Sequence, residues 1–334
     1  MMKFARLESE RKLKALPTGT GRPEVAYDVV DIPGKEKGAV AARLIRRGEE
    51  VMRAAPLIMV DDAAVGGLGR KELGVLIHEA VQGLLESGMG RYYRDLAGGN
   101  VQATTGEQKD MQVFAKNAFK VRVRGLGENG GERMFHTVFH EVSRVNHDCS
   151  PNMGYYFDQE SLTQKVVAAR DIHPHEEMTI GYVDLSQPSM ARQQLLNESW
   201  GFACTCHRCT LPPAQQKEAD SRASQIQRLL EQLDDYSSAE PLPEMAELLI
   251  TLYELEGLRV RIYEAYYRAA LEWNGAGSSV KATNYARLCL DSGLMLRSDD
   301  SPFLDSMMKL VQSPQQHWSW KFRIALVEKG GSGP

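Results

Sequence analysis

From Tyr27 to Val60 short apolar runs (Val29-Val30, Ala39 to Ala42, Leu57 to Val60) are punctuated by Pro33, Gly34, Gly38, Gly48 and Pro56. Runs this short, broken by residues that turn the chain, predict brief strands joined by tight turns. The period changes after Asp61. Leu73, Leu76, Ile77, Ala80 and Leu84 recur at helical spacing and predict a helix with one core-facing side, capped by Asp61-Asp62 or a later loop residue. Gly98-Gly99-Asn100 and the polar run to Asp110 read as a loop, and Val113 to Val123 as strand. The glycine-rich stretch 125–131 precedes a short helical stretch around Phe135 to Val145. It lacks the Gly-Lys-Ser/Thr ending of a phosphate cradle, so it reads as a hinge or surface loop. Val166 to Ala169 and Met178 to Tyr182 are predicted strands around the turn His173-Pro174-His175.

Beyond Pro212-Pro213 the chain turns polar and then helical. Ile226, Leu229, Leu230 and Leu233 mark one amphipathic helix, and Met245, Leu248, Leu249 and Leu252 a second. Leu258 to Leu271 gives a third, and Tyr285, Ala286, Cys289 and Leu290 a fourth. Paired helices of this length predict an α-hairpin stack of the TPR kind, although no clean repeat of that signature is present.

Composition narrows the classes. With 43% hydrophobic and 25% charged residues the chain is globular, and no apolar run approaches the roughly 20 residues that span a bilayer. A net charge of -4 gives no global attraction to nucleic acid. The amino terminus lacks the apolar region of a secretory signal, so cytosol or nucleus is the expected location. Five cysteines, three of them between positions 204 and 209, fit a metal site better than a disulfide framework.

Cys204-x-Cys206-x-x-Cys209 places three thiolates on one turn, where zinc–sulfur bonds of about 2.3 Å can form. Cys149 is the best fourth ligand. Cys289 sits in an apolar helical pattern and reads as a core residue, while His207, the rival, is held inside the turn itself. Four thiolates leave no open position, so this zinc would be structural.

Around those cysteines stand Asn146-His147-Asp148-Cys149-Ser150-Pro151-Asn152, then Ala169-Arg170-Asp171-Ile172, then Glu176-Glu177-Met178-Thr179-Ile180-Gly181-Tyr182. Arg192, Leu196 and Phe202-Ala203-Cys204-Thr205-Cys206 follow. In this succession the chain resembles the SET-domain protein lysine methyltransferases, within them the SET- and MYND-related branch and its fungal relatives. Upstream, Gly34 to Ala42 and Arg46-Arg47-Gly48-Glu49 resemble the first SET strands, and Phe114 to Phe119 and Val138 to Val145 also have counterparts. The MYND zinc finger has none, since no cysteine precedes Cys149.

The resemblance implies an α+β chain with a mostly β SET fold. Its parts are an N-terminal extension (1–26), a SET domain (27–185) with a helical insert at about 61–110, and a zinc-binding post-SET segment (186–212). A helical C-terminal domain (213–328), a candidate surface for a protein partner, and a flexible tail (329–334) complete it. It implies S-adenosylmethionine as cofactor, held by Lys35, Lys37, Gly38, Asn117, Asn146, His147, Tyr182 and Phe202. Tyr182 is the implied catalytic residue and Trp200 and Phe202 the implied channel walls. The substrate implied is a protein lysine, with no direct nucleic-acid or membrane partner. Two other readings stay open: N-methylation of a small amine, and a SET-derived binding module with little turnover. Of three departures from the family pattern, those at Glu36 and Trp200 motivate the second. Glu36 stands in the Gly-x-Gly turn, Trp200 where close relatives often carry Tyr, and His175 in place of a common turn Gly.

Overall fold

The structure, a computed structural model, describes residues 25–96, 105–127, 130–296 and 302–330. Most of the N-terminal extension, the loop at 98–100, part of the glycine-rich stretch and the tail beyond 330 lie outside the described residues.

The first strands are β1 (Tyr27–Asp31), β2 (Lys37–Ala41), β3 (Glu50–Ala54) and β4 (Ile58–Asp61). They are followed by β5 (Ala118–Arg124), β6 (Glu132–Val138) and β7 (Asn146–His147), then β8 (Met153–Asp158), β9 (Thr163–Ala168) and β10 (Thr179–Ile180). They form small sheets: the β1–β2 hairpin, β3–β9–β8, β4–β6–β5 and the parallel pair β7–β10. Gly34 turns the hairpin at φ +76, a left-handed conformation open to glycine. The sheets share one core, in which Ala39, Ile45, Phe139, Met153, Val166, Met178 and Ile180 are all buried.

Helices α1 (Asp62–Gly67), α2 (Arg70–Glu86), α3 (Gly90–Arg94) and α4 (Gly106–Asn117) lie between β4 and β5. The apolar period Leu73 to Leu84 belongs to α2, but Asp61 caps α1, accepting from the N–H of Ala63 at 2.8 Å. The start of α2 is held instead by Glu72, which accepts from the N–H of Gly69 at 2.9 Å. Two expectations are corrected here. From Gly106 to Asn117 the supposed loop and strand are α4, because Thr105 Oγ1 accepts from the N–H of Gln108 at 3.2 Å and Val113 and Phe114 are buried in the same cluster as Leu73 and Ile77. The supposed helix at 135–145 begins as β6, paired on both sides by β4 and β5, and only Val142–Arg144 makes a helical turn. The helical insert therefore runs to Asn117.

After α5 (Ser189–Trp200) and the cysteine-rich turn come α6 (Pro213–Asp234), α7 (Pro243–Leu255), α8 (Ile262–Gly275), α9 (Ser279–Leu296), α10 (Pro302–Gln312) and α11 (Phe322–Gly330). Proline opens α6 and α7, where its missing N–H costs no helical hydrogen bond. The third predicted helix starts as a tight turn at Arg259–Arg261. Cys289 is fully buried with Ala282, Ala286 and Leu304, as its apolar surroundings predicted. Among the described residues no helix is long and apolar enough to cross a membrane.

Candidate active site and cysteine cluster

The parallel pairing of β7 and β10 sets Asn146 opposite Thr179 and His147 opposite Ile180. Asn152 staples the connecting turn: its Oδ1 accepts from the N–H of Thr179 at 2.8 Å, and its Nδ2 donates to the carbonyl of Glu177 at 2.8 Å. Two residues beyond β10, the N–H of Tyr182 donates to Nδ1 of His147 at 3.0 Å. Nδ1 therefore carries no proton and Nε2 carries one, 3.3 Å from the Cys149 sulfur. Burial, the largest influence, pushes His147 down to about 4, so the ring is neutral.

The Tyr182 hydroxyl donates to the carbonyl of Val145 at 2.8 Å. Its ring lies 5.1 Å from that of Trp200, 5.4 Å from His147 and 6.5 Å from Phe202, centre to centre. Burial raises its pKa above the ordinary phenol range. Trp200 ends α5, and Gly201, at φ +79, closes that helix with its N–H on Asn197 and turns the chain so that Phe202 also faces Tyr182. The Trp200 indole donates to the carbonyl of Lys116 in the last turn of α4, at 3.0 Å.

On the other side of Asn146 lies the β1–β2 turn. A Cβ on Gly38 would stand 2.6 Å from the Asn146 amide nitrogen, so this contact needs glycine. That nitrogen donates to Glu177 Oε1 at 2.9 Å, and Lys35 Nζ reaches Glu177 Oε2 at 2.7 Å. Lys37 contributes its carbonyl, 3.3 Å from the same amide, while its ammonium lies out near Asp31 at 3.9 Å. The Asn117 amide donates back to Val113 in its own helix, at 2.8 Å. Both His147 ring nitrogens face protein partners, which leaves its main chain for any ligand.

The sulfurs of Cys149, Cys204, Cys206 and Cys209 all lie within 4.8 Å of one another, with Cys149 and Cys209 at 3.6 Å. Tetrahedral zinc–thiolate geometry, with bonds of about 2.3 Å, sets sulfurs about 3.8 Å apart. The residues present fit such an ion, and His207 is not part of the group. The thiols influence one another: hydrogen bonds from its neighbours lower Cys206, while Cys149 is raised by the same contacts.

Of the residues that frame this cluster, the sequence marked Arg192 as part of the motif succession without a role and did not mark Gln193, Arg208 or Glu256. Arg192, buried on α5, points its Nε at the Cys149 sulfur at 3.3 Å, placing a fixed cation beside the thiolates. Gln193 grips Cys204 twice, donating to its carbonyl and accepting from its N–H, each at 2.8 Å. Arg208, between the last two cysteines, donates to the carbonyl of Cys149 at 2.7 Å and to Glu256 at 2.6 Å. Glu256 also accepts from Arg222 of α6 at 2.7 Å, so the C-terminal helices are keyed to the cysteine turn. For Arg208 the available sequence signal was a basic residue inside a Cys-x-x-Cys turn.

Residues 36–183 match the family model described as SET domain. The chain is similar to Histone-lysine N-methyltransferase SET5 of Meyerozyma guilliermondii, 36% identical over 31% of this chain and 23% of that protein. It is 30% identical to Histone-lysine N-methyltransferase set5 of Schizosaccharomyces pombe over 60% of this chain and 56% of that one. N-lysine methyltransferase SMYD2 of Gallus gallus is 32% identical over 39% of this chain and 26% of its own. The matches thus span from 23% to 56% of these relatives' lengths. A solved structure of Rubisco LSMT bound to AdoMet aligns with 97% of this chain and 91% of its own, at 10% identity and a TM-score of 0.35.

Proposed function

We propose that the chain transfers methyl groups from S-adenosylmethionine to the ε-amine of a protein lysine, a reading supported by the match of residues 36–183 to the SET domain model. The observation that carries this reading is the state of Tyr182. Its one hydroxyl proton is committed to the Val145 carbonyl, so the oxygen presents lone pairs to whatever enters the aromatic enclosure of Trp200, Phe202 and His147. Such an oxygen attracts an electropositive methyl group and an incipient ammonium, and repels no cation.

The bound cofactor supplies an electrophilic methyl on a sulfonium. Lys35, Lys37, Gly38, Asn146 and the main chain of His147 would hold it, with Phe202 and Asn117 as further candidates. Trp200 and Phe202 line the channel for the lysine, hold its stem and exclude water, which aligns the in-line transfer. The same desolvation favours the neutral amine that can attack. Aromatic faces add a cation–π attraction of about 0.5–2 kcal/mol for a methylated, charged product. The four cysteines would hold a structural zinc that fixes this wall to the strand bearing Asn146 and His147.

Incubation with methyl-labelled S-adenosylmethionine and a panel of histones, cell lysate and small amines tests the reading. The wild-type chain should label protein lysine, and Tyr182→Phe should do so far more slowly. Label on free amines alone would move the substrate to small molecules, and equal transfer by the variant would remove Tyr182 from its role.

A further inference from the structure

Side chains from three separate stretches of sequence, Lys35, Asn146 and Glu177, meet beside the buried Gly38. The Lys35 ammonium sits 2.7 Å from one oxygen of Glu177, and the other oxygen accepts from the Asn146 amide at 2.9 Å. Glu177 is held there by its backbone: it bridges to Val40, and the next N–H, of Met178, donates to Ala39 at 2.8 Å. A Cβ on Gly38 would stand 3.3 Å from Glu177 Oε1, so the absent side chain leaves the carboxylate against the β2 backbone. The Lys35 and Glu177 side chains remain 32% and 24% exposed. Water screens such a pair, and it adds little to stability. Neighbouring Glu176 has a different task, accepting from Arg170 and from the N–H of His173 and so bracing the turn.

We propose that Glu177 is a further cofactor-binding residue, its carboxylate taking the α-ammonium of the cofactor's amino-acid end while Lys35 takes the α-carboxylate. This rests on the methyl-transfer reading above. An α-amino-acid head group carries one cation and one anion on a single carbon, and Glu177 and Lys35 offer the complementary anion and cation side by side. Binding exchanges one internal ion pair for two intermolecular ones, and no charge is left unpaired in the process. A carboxylate can only accept, so the amide nitrogen of Asn146 is the atom turned to Glu177. Its amide oxygen is thereby the atom that can accept a second proton from the same ammonium.

Calorimetric titration of the full chain separates this from a merely structural role. S-adenosylhomocysteine carries the zwitterionic end, and 5′-methylthioadenosine has the same adenosine and thioether without it. Glu177→Gln keeps the size of the side chain and its bond from Asn146 but removes the charge. It is expected to weaken S-adenosylhomocysteine about tenfold or more and methylthioadenosine less than about twofold. Lys35→Met should shift the same ratio in the same direction. Unchanged affinity for S-adenosylhomocysteine, or equal weakening of both ligands, overturns the assignment. A wild-type chain that binds neither ligand brings down the methyl-transfer reading itself, which is a distinguishable result.

Discussion

The indole of Trp200 donates to the main-chain carbonyl of Lys116 at 3.0 Å, fastening one wall of the Tyr182 enclosure to the last turn of the insert helix α4. Helix α5 and the insert helix α4 are thus tied together beside the Tyr182 ring. Trp200→Phe keeps an aromatic face and removes this tie, at a cost of about 0.5–1.5 kcal/mol in folding stability. Denaturant unfolding should show that loss, and methyl-transfer assays should show a lower kcat/KM for the amine substrate. Affinity for S-adenosylhomocysteine should stay unchanged. A matching fall in cofactor affinity would place Trp200 elsewhere in the mechanism.

Gly38→Ala drives a methyl group to within 2.6 Å of the Asn146 amide nitrogen and 2.7 Å of Ile32 Cγ1. Asn146 must swing away, so binding of S-adenosylhomocysteine should weaken by about tenfold or more, the scale of a lost hydrogen bond to a charged group. Overpacking should also lower stability by about 1–3 kcal/mol. Titration calorimetry beside thermal unfolding checks both numbers, and undiminished affinity would detach the hairpin turn from the cofactor.

His175 adopts φ +67 in the turn that returns its N–H to the carbonyl of Ala41 at 2.8 Å. A side chain with a Cβ is strained in that region and glycine is not. His175→Gly should therefore stabilise the fold by about 0.5–1 kcal/mol, after allowing for the greater freedom of glycine in the unfolded chain. Chemical denaturation measures the change. A destabilised variant would show that the imidazole makes a compensating contact.

Elemental analysis of the purified chain should find about one zinc per molecule, in keeping with four thiolates around one ion. Cys206→Ser should lose the metal, unfold at lower temperature and lose methyl transfer, because Cys149 follows His147 by two residues and Cys204 follows Phe202 by two. Full activity in a zinc-free variant would uncouple the cluster from the channel.

Much of this was legible in the sequence because it is local. The β1–β2 hairpin shows in its apolar runs and Gly34, the cysteine turn in its spacing, and the Asn146 to Asn152 motif in its order. Helix α4 was not legible, since Val113 and Phe114 favour strand locally and become helical through burial against α2. The same holds for β6, whose identity comes from partners on both sides. Glu177 and Arg192 act on residues 142 and 43 positions away, a pairing that no local pattern encodes. Ring orientation at His147 was hidden for the same reason, since it depends on the N–H of Tyr182.

The cysteine cluster joins residues 60 positions apart in sequence. A metal bound there would act as a cross-link that closes a long loop, and the entropy it would remove from the unfolded chain corresponds to about 4 kcal/mol for a loop of this size. That loop contains β8, β9, β10, Tyr182 and α5. A bound metal would thus stabilise the half of the domain that carries Tyr182 and α5 by acting on the unfolded chain, and its removal would be felt by the first strands too, since β2 bonds to residues 175–178 and β3 pairs with β9.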